Sequence, residues 1–135
     1  MIRSAPHAGL VLLLLALAGC ANDQEYFDVL NQQQAAWNEV GDILETVKDQ
    51  KSMAEAKTVL ESRVEKFEAV AKKAQALPKP SSELVEKLEQ KRYLMQRAIE
   101  RAQDEVRRVR ALPGGEAFCS QFGSKYQGLM SAVKK

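Results

Sequence analysis

The stretch SMAEAKTVLESRVEKFEAVAKKAQALPKPSSELVEKLEQKRYLMQRAIERAQDEVRRVR, residues 52–110, decides the fold. Apolar residues recur in it every three or four positions on both sides of Pro78-Lys79-Pro80, and this spacing places them on one face of a helix. Proline has no N–H to donate and clashes with the preceding turn, so it ends the first helix. Ser81-Ser82-Glu83 then supplies a cap and an early acid for the next. The stretch therefore predicts two long amphipathic helices joined by a short break.

Each of these two helices has one apolar face, which we expect to form the core. In the first helix the face is Met53, Ala56, Leu60, Val64, Phe67, Ala71 and Ala74, and in the second it is Leu84, Leu88, Met95, Ile99, Ala102, Val106 and Val109.

Shorter signals on either side predict two more helices. Residues 23–48 carry Leu30, Trp37, Val40, Leu44 and Val47 in one stripe, which Gln33 interrupts. Asn22 with Glu25, and Ser52 with Glu55, have the spacing of capping boxes at the starts of the first two helices. After Pro113-Gly114-Gly115, residues 116–133 form a shorter segment with helical spacing, weakened by two glycines. Its apolar positions are Phe118, Phe122, Tyr126, Leu129 and Val133.

The four segments and three short breaks predict an all-α fold. We expect a small antiparallel up-down helical bundle with three long helices and a shorter C-terminal fourth. Two alternatives remain open: a three-helix bundle with the fourth segment across one end, and an open helical hairpin that dimerises. The oligomeric state does not follow from the pattern.

Charge is balanced over the chain but unevenly distributed. The formal net charge is +2, so the molecule as a whole gives no nucleic-acid signal. Residues 23–49 are strongly acidic with Lys48 as the only base, and we expect this helix to pack beside basic neighbours. The densest basic cluster is Arg107-Arg108-Val109-Arg110. Arg107, Arg108 and Arg110 suit the negative end of their helix, and they are also a candidate anion-binding site for lipid headgroups or cell-wall polymers.

The N-terminus has the architecture of an export signal. Arg3 is followed by the apolar run of residues 10–17, then by Ala18, Gly19 and Cys20. A membrane-spanning helix needs about 20 apolar residues, so this run has the length of a signal-peptide core. Leu17-Ala18-Gly19-Cys20 resembles the lipobox of bacterial lipoproteins. The alternative is an ordinary secretory signal with a chance cysteine.

The resemblance implies a lipid anchor. In lipoproteins the cysteine thiol receives a diacylglyceryl group, its acyl chains palmitate among them, and a peptidase cuts just before it. Carried over, residues 1–19 are a cleaved signal peptide, the cut falls between Gly19 and Cys20, and residues 20–135 are one helical-bundle domain attached to the membrane through Cys20. Ala21 stands where an aspartate would favour the inner membrane, which implies an outer-membrane address facing the periplasm.

Catalytic chemistry is poorly represented. The only histidine is His7, in the segment that would be cut away, which leaves no imidazole for catalysis or metal binding. Cys119 has no intrachain cysteine partner, so it is either buried or disulfide-bonded to another chain; its position between Phe118 and Phe122 favours burial. We expect Trp37 and Tyr93 to be packing residues. These features predict a protein that is not an enzyme and has no metal or cofactor.

Two functions are consistent with these residues. The first is a non-catalytic envelope lipoprotein, a structural or interaction module whose partner is an envelope protein or peptidoglycan. Lys134-Lys135 resembles the terminal lysine that joins the major murein lipoprotein of enteric bacteria to peptidoglycan. The alternative is a carrier or sensor that holds a small apolar or anionic ligand between helices, because many alanines and an interrupted seam can leave a pocket.

Overall fold

The computed structural model describes residues 22–131, with side chains as far as residue 123, and these residues form four helices. Helix α1 spans Asp23–Glu45, α2 spans Gln50–Ala76, α3 spans Ser82–Arg110 and α4 spans Gly115–Ser131. The first three contain 23, 27 and 29 residues and the fourth contains 17. The predicted all-α bundle of three long helices and a shorter fourth is confirmed.

Local side chains set the helix starts. Asn22 caps α1, because its Oδ1 accepts a hydrogen bond from the Glu25 N–H at 2.9 Å, and Ser81 caps α3 by accepting from the Leu84 N–H at 3.2 Å. The prediction that Ser52 is the cap of α2 is wrong. Asp49 is the cap and Ser52 is its capping-box partner: Asp49 accepts from the Ser52 N–H at 2.8 Å, and Ser52 Oγ accepts from the Asp49 N–H at 2.9 Å. Helix α2 therefore begins at Gln50.

The connection between α3 and α4 depends on two glycines. Helix α3 ends at Arg110, and Gly114 adopts a positive φ of 79°, a conformation that glycine tolerates and side chains rarely adopt. Gly115 lies so close to the Val109 carbonyl that a Cβ atom there would overlap it. These glycines let the chain turn back tightly enough for Phe118 to reach the core.

Consecutive helices alternate in direction, but they are not all neighbours. In the part of the chain that the structure describes, α1 packs beside α2 and α3, and α4 packs beside the same two helices. The order around the bundle is therefore α1, α3, α4, α2, which leaves α2 and α3 on a diagonal. Short breaks predicted neighbouring hairpins, and this holds for α1 with α2 and for α3 with α4.

Helices α1 and α3 run parallel to each other. Lys87 contacts Asp23 near the start of both helices, and Arg101 contacts Asp42 and Glu45 nearer their ends. Small residues at the contact allow the backbones to approach closely, since alanine and glycine fill little space between helices. The buried small residues on these two helices are Ala36, Gly41, Ala98 and Ala102.

Opposite charges join α1 to its neighbours, as the acidic first helix predicted. Glu39 on α1 binds Arg63 at 2.7 Å and Lys66 at 2.9 Å, both on α2. On the other side, Arg101 of α3 binds Asp42 and Glu45 of α1 at 2.7 Å each. The predicted internal charge complementarity is confirmed.

The core is one large cluster with a smaller one at the end where α1 begins. The smaller cluster joins Tyr26 to Leu84 and Leu88, and the Tyr26 hydroxyl donates to the Pro78 carbonyl at 2.7 Å, which holds the α2–α3 connection against α1. All buried apolar residues of the described region lie between Tyr26 and Phe122. The main cluster includes Trp37, Val40, Leu44, Val47, Leu60, Phe67, Ile99, Val109, Phe118, Cys119 and Phe122.

Candidate functional site

The predicted lipidation site precedes the described residues. Leu17, Ala18, Gly19 and Cys20 lie outside them, as do Lys134 and Lys135. Asn22, the cap of α1, follows Cys20 after one intervening residue. At about 3.5 Å per residue, an extended connection from Cys20 to Asn22 spans only about 7 Å. A group attached to Cys20 is therefore held close to the start of α1.

The three arginines of the predicted anion site have internal partners and different surroundings. Arg107 pairs with Asp104, and Arg110 lies 3.6 Å from Glu116. Arg108 pairs with Glu105 at 2.8 Å and also donates to the Leu44 and Val47 carbonyls at 2.8 Å each. These carbonyls belong to the last residues of α1 and the turn after it, so Arg108 caps the negative end of that helix. The structure does not bring the three guanidinium groups together into one site.

A half-open cavity of about 470 Å³ is lined by residues of all four helices, and its volume is within the range of about 300–1,000 Å³ that is usual for small-molecule pockets. It occupies the half of the bundle that contains the α1–α2 turn. Its walls are largely apolar, and sequence periodicity placed most of these residues in the core without indicating a space between them. The apolar walls are Trp37, Val40, Leu44, Leu60, Ala102, Val106, Phe118, Cys119, Phe122 and Gly123.

One wall of the cavity is polar. Gln103, Arg107 and Arg110 line it from α3, at a spacing of four and three residues that places them along one side of that helix. Among the described side chains that line the cavity, the two arginines are the only charged ones. Arg107 and Arg110 thus belong to both the predicted basic cluster and this cavity, whereas Arg108 faces the end of α1.

Trp37, one of the residues that line the cavity, has a polar side-chain atom with no hydrogen-bond partner within the described part of the chain. Its side chain is 5% exposed, so its predicted role as a core anchor is confirmed. Its Nε1–H donor is buried and has no acceptor among the residues that the structure describes. An unpaired buried donor costs about 1–3 kcal/mol. A hydrogen-bond donor without an acceptor is therefore present in a side chain that lines the cavity.

Cys119 is buried, as predicted, at 6% exposure. Its Sγ atom contacts the Val106 carbonyl at 3.8 Å, and burial raises the pKa of the thiol despite the nearby positive charge of Arg110. The thiolate, and not the thiol, is the nucleophilic form of cysteine. A raised pKa lowers the fraction of thiolate at neutral pH and so disfavours Cys119 as a nucleophile. Cys119 acts here as a small apolar residue in the cavity wall.

A second cavity, of about 570 Å³, lies at the opposite end of the bundle, near the start of α1. Gln33 lines it and is 3% exposed, which accounts for the interruption in the apolar stripe of α1. Lys79 and Arg92 contribute positive charge at this end, and the apolar part of the lining includes Val29, Leu30, Leu77, Val85, Leu88 and Met95.

The expected packing role of Tyr93 is wrong. Its side chain is 62% exposed, because it lies on the outward face of α3 and away from the stripe that contains Leu88, Met95 and Ile99. Leu94 beside it is 38% exposed. Sequence spacing alone would have found this, since Tyr93 is out of phase with that stripe.

Within residues 22–131, no three His, Cys, Asp or Glu residues are grouped so that they could hold a metal ion. Over the same residues, no helix combines the length and the apolar character needed to cross a bilayer. Comparisons with protein-family models, with curated proteins and with solved structures found no match to this chain.

Proposed function

We propose that this chain is a lipid-anchored envelope lipoprotein, held through Cys20 and placed at the outer membrane facing the periplasm. The observation that carries the proposal is the lipobox-like sequence Leu17-Ala18-Gly19-Cys20 after a short apolar core. The short connection from Cys20 to the helix cap at Asn22 supports a bundle that sits close against the membrane rather than on a long tether.

The anchor is tested by metabolic labelling in bacterial cells with an alkyne analogue of palmitate. The chain has two cysteines, which makes Cys119→Ser a matched control for Cys20→Ser. We expect label on the unmodified protein and on Cys119→Ser, and none on Cys20→Ser. Label that persists in Cys20→Ser would contradict the proposal, as would an unlabelled wild-type chain that is exported and cleaved elsewhere.

The anchored domain is proposed to be a non-catalytic structural or interaction module. Its support is the outward face of α3, where Tyr93 and Leu94 are exposed. Tyrosine is enriched at protein interfaces because its ring is large and its hydroxyl can form hydrogen bonds. The partner class is an envelope protein or peptidoglycan.

A photo-crosslinking amino acid placed at Tyr93 tests this module in intact cells. The same group placed at Ser62, an exposed position on α2, is the control. We expect a discrete adduct, protein or muropeptide, from position 93 and none from position 62. Equal, diffuse crosslinking from both positions would contradict the proposal that this face of α3 binds a partner.

A second candidate function is a carrier or sensor that binds a small ligand inside the bundle. The specific observation in its favour is the cavity of about 470 Å³ with the unpaired Trp37 donor in its wall. Native mass spectrometry of the protein purified from its own cells tests this candidate. We expect a co-purifying small molecule in a one-to-one ratio, and a mass equal to that of the protein alone would count against it.

A further inference from the structure

We propose that the half-open cavity of about 470 Å³ binds one anionic single-chain amphiphile, with its acyl chain against the apolar walls and its headgroup at Arg107 and Arg110. This inference rests on the second candidate function and names its ligand class. It does not depend on the lipid anchor, because every residue it uses lies in the helical domain.

The size and the walls of the cavity match an acyl chain. A volume of about 470 Å³ is within the range usual for small-molecule ligands, and a single acyl chain belongs to that size class. The walls toward α1, α2 and α4 are apolar, with Leu60, Phe118 and Phe122 among them. Burying an acyl chain against these side chains removes apolar surface from water on both partners.

The charge of the lining selects an anion. Arg107 and Arg110 line the cavity, and no carboxylate does among the side chains described up to residue 123. Their acidic partners, Asp104 and Glu116, have largely exposed side chains. Exposed ion pairs contribute little, so a carboxylate or phosphate at the mouth can replace or share them. Two guanidinium groups one turn apart offer several N–H donors to such a headgroup.

Trp37 lines the cavity and has a buried Nε1–H donor without an acceptor among the described residues, so a ligand oxygen that reaches this donor would complete its hydrogen bonding. A fatty acid carries its oxygens only in its carboxylate, whereas a lysophospholipid also carries an ester carbonyl next to its acyl chain. Both share the chemistry of an anionic headgroup on one chain. Trp37 is also the only tryptophan of the protein, so its fluorescence reports on the cavity and on nothing else in the chain.

The test is a fluorescence titration of the chain from Ala21 to Lys135, whose described core lies between Tyr26 and Phe122. The four probes are laurate, lauroyl-lysophosphatidylglycerol, dodecanol and dodecyltrimethylammonium, each kept below its micelle concentration. Circular dichroism and a cooperative melting curve establish that each sample is folded. We expect a saturable change in Trp37 emission with at least one anion, and binding about tenfold weaker for the alcohol and for the cation.

Two matched variants separate headgroup recognition from general structural damage. The double variant Arg107→Gln/Arg110→Gln should weaken anion binding about tenfold and leave dodecanol binding unchanged. Arg97→Gln is the control, because Arg97 pairs with Glu100 at a spacing of three residues, as Arg107 does with Asp104, but it lies outside the cavity. It should bind laurate and the lysophospholipid as the parent chain does.

Cys119 supplies an independent measurement, since it is the only cysteine in residues 21–135 and lines the cavity. A bound amphiphile should slow the reaction of its thiol with a methanethiosulfonate reagent. The relative affinity of laurate and the lysophospholipid tells which headgroup is preferred, and either preference supports the proposal. Three results would overturn it: no saturable change with either anion, equal affinity for anion and cation, or unchanged anion affinity in the double variant. The lipid anchor at Cys20 is tested by palmitate labelling, so failure of the anchor and failure of amphiphile binding are distinguishable.

Discussion

Arg108 joins two helices through a single side chain. It donates to the Leu44 carbonyl, which also accepts from the Val47 N–H at 3.0 Å, and to the Val47 carbonyl in the turn just after α1. The positive guanidinium also faces the negative end of the helix dipole. Arg107, its neighbour in the sequence, forms only an exposed pair with Asp104 on its own helix. Adjacent arginines of the same cluster therefore differ in their structural role.

Replacement of each arginine by glutamine should separate these roles. Hydrogen bonds to a charged group contribute about 1.5–3 kcal/mol, so we expect Arg108→Gln to lower the free energy of unfolding by about 2 kcal/mol. An exposed pair contributes roughly 0–1 kcal/mol, so Arg107→Gln should change it by no more than about 0.5 kcal/mol. Urea unfolding followed by circular dichroism measures both. Equal effects of the two substitutions would contradict the capping role of Arg108.

Asp49 makes the start of α2 sensitive to pH. Hydrogen bonds from the Ser52 backbone and side chain hold the pKa of its carboxyl below the ordinary value of 3.8. The unfolded chain therefore binds the proton more tightly, and the stabilisation is fully present above pH 3.8 and is lost as the pH falls through the lower pKa of the folded state. Asparagine also caps helices but does not titrate in this range.

We therefore expect the stability of the parent chain, relative to Asp49→Asn, to decline on acidification. Urea unfolding at about pH 6 and at about pH 3 measures this difference, which should be more favourable to the parent chain at the higher pH. Other carboxylates titrate equally in both proteins and cancel. A difference independent of pH would mean that the carboxylate of Asp49 is not the group that stabilises this helix start.

Single residues were predictable where periodicity decides their environment. Trp37 and Cys119 lie in phase with apolar stripes and are buried as expected. Asp49 was missed because Ser52 with Glu55 has the same spacing as a real capping box, and the three-residue shift between them depends on where the α1–α2 turn ends. Arg108 was placed in an anion site because sequence alone does not show which helix end it faces.

At the scale of helices, two glycines of α4 differ in whether their position can accept a side chain. A Cβ on Gly115 would overlap the Val109 carbonyl, so the backbone would have to shift to make room for it. A Cβ on Gly123 would meet nothing within 4 Å, and glycine inside a helix is less favourable than alanine by about 1 kcal/mol. The first glycine is needed for the turn, whereas the second only weakens the helix.

Alanine substitutions should therefore shift stability in opposite directions. We expect Gly115→Ala to destabilise the fold by about 2 kcal/mol or more, through backbone displacement, and Gly123→Ala to stabilise it by up to about 1 kcal/mol. Thermal melting of the two variants beside the parent chain measures both effects. If Gly115→Ala melted at the parent temperature, the close approach of α4 to the end of α3 would be wrong.

The helices themselves were predictable because each has its own periodicity and its own break. Prolines marked the ends of α2 and α3 within three residues. Which helices are neighbours was not predictable in the same way. The pairing of α1 with α3 depends on small residues and opposite charges about 60 positions apart, such as Asp23 with Lys87, and no local pattern identifies them.

For the whole molecule, charge pairs orient the helices more than they stabilise them. Most of the pairs between helices are at the surface, as with Lys66 and Glu39 or Arg101 and Asp42. Exposed pairs contribute little, and salt screens them over about 10 Å at 0.1 M ionic strength and about 3 Å at 1 M. The apolar core is not screened by salt.

Raising sodium chloride from about 0.1 M to about 1 M should therefore change the free energy of unfolding by less than about 1 kcal/mol. Urea is the suitable denaturant because it adds no charge. A much larger loss in high salt would show that the ion pairs of α1 with α2 and α3 hold the bundle together, and would contradict a fold that rests on its core.

The sequence predicted that a pocket could form between the helices, but not its position or its lining residues. Many alanines and an interrupted seam suggested space between the helices, but Ala36 and Ala98 are buried in the core without lining the cavity, whereas Gly123 lines it. The difference lies in the position of α4 over the gap between α2 and α3, which depends on packing across the whole bundle. Composition does not contain that information.

The diagonal placement of α2 and α3 has a consequence for the time course of folding. Chains dominated by local contacts fold fastest, and a ring of successive hairpins would be of that kind. Here Arg63 meets Glu39 across 24 positions, but Arg108 must find the Val47 carbonyl across 61. The first helix therefore lacks its main neighbour until most of the chain has been synthesised.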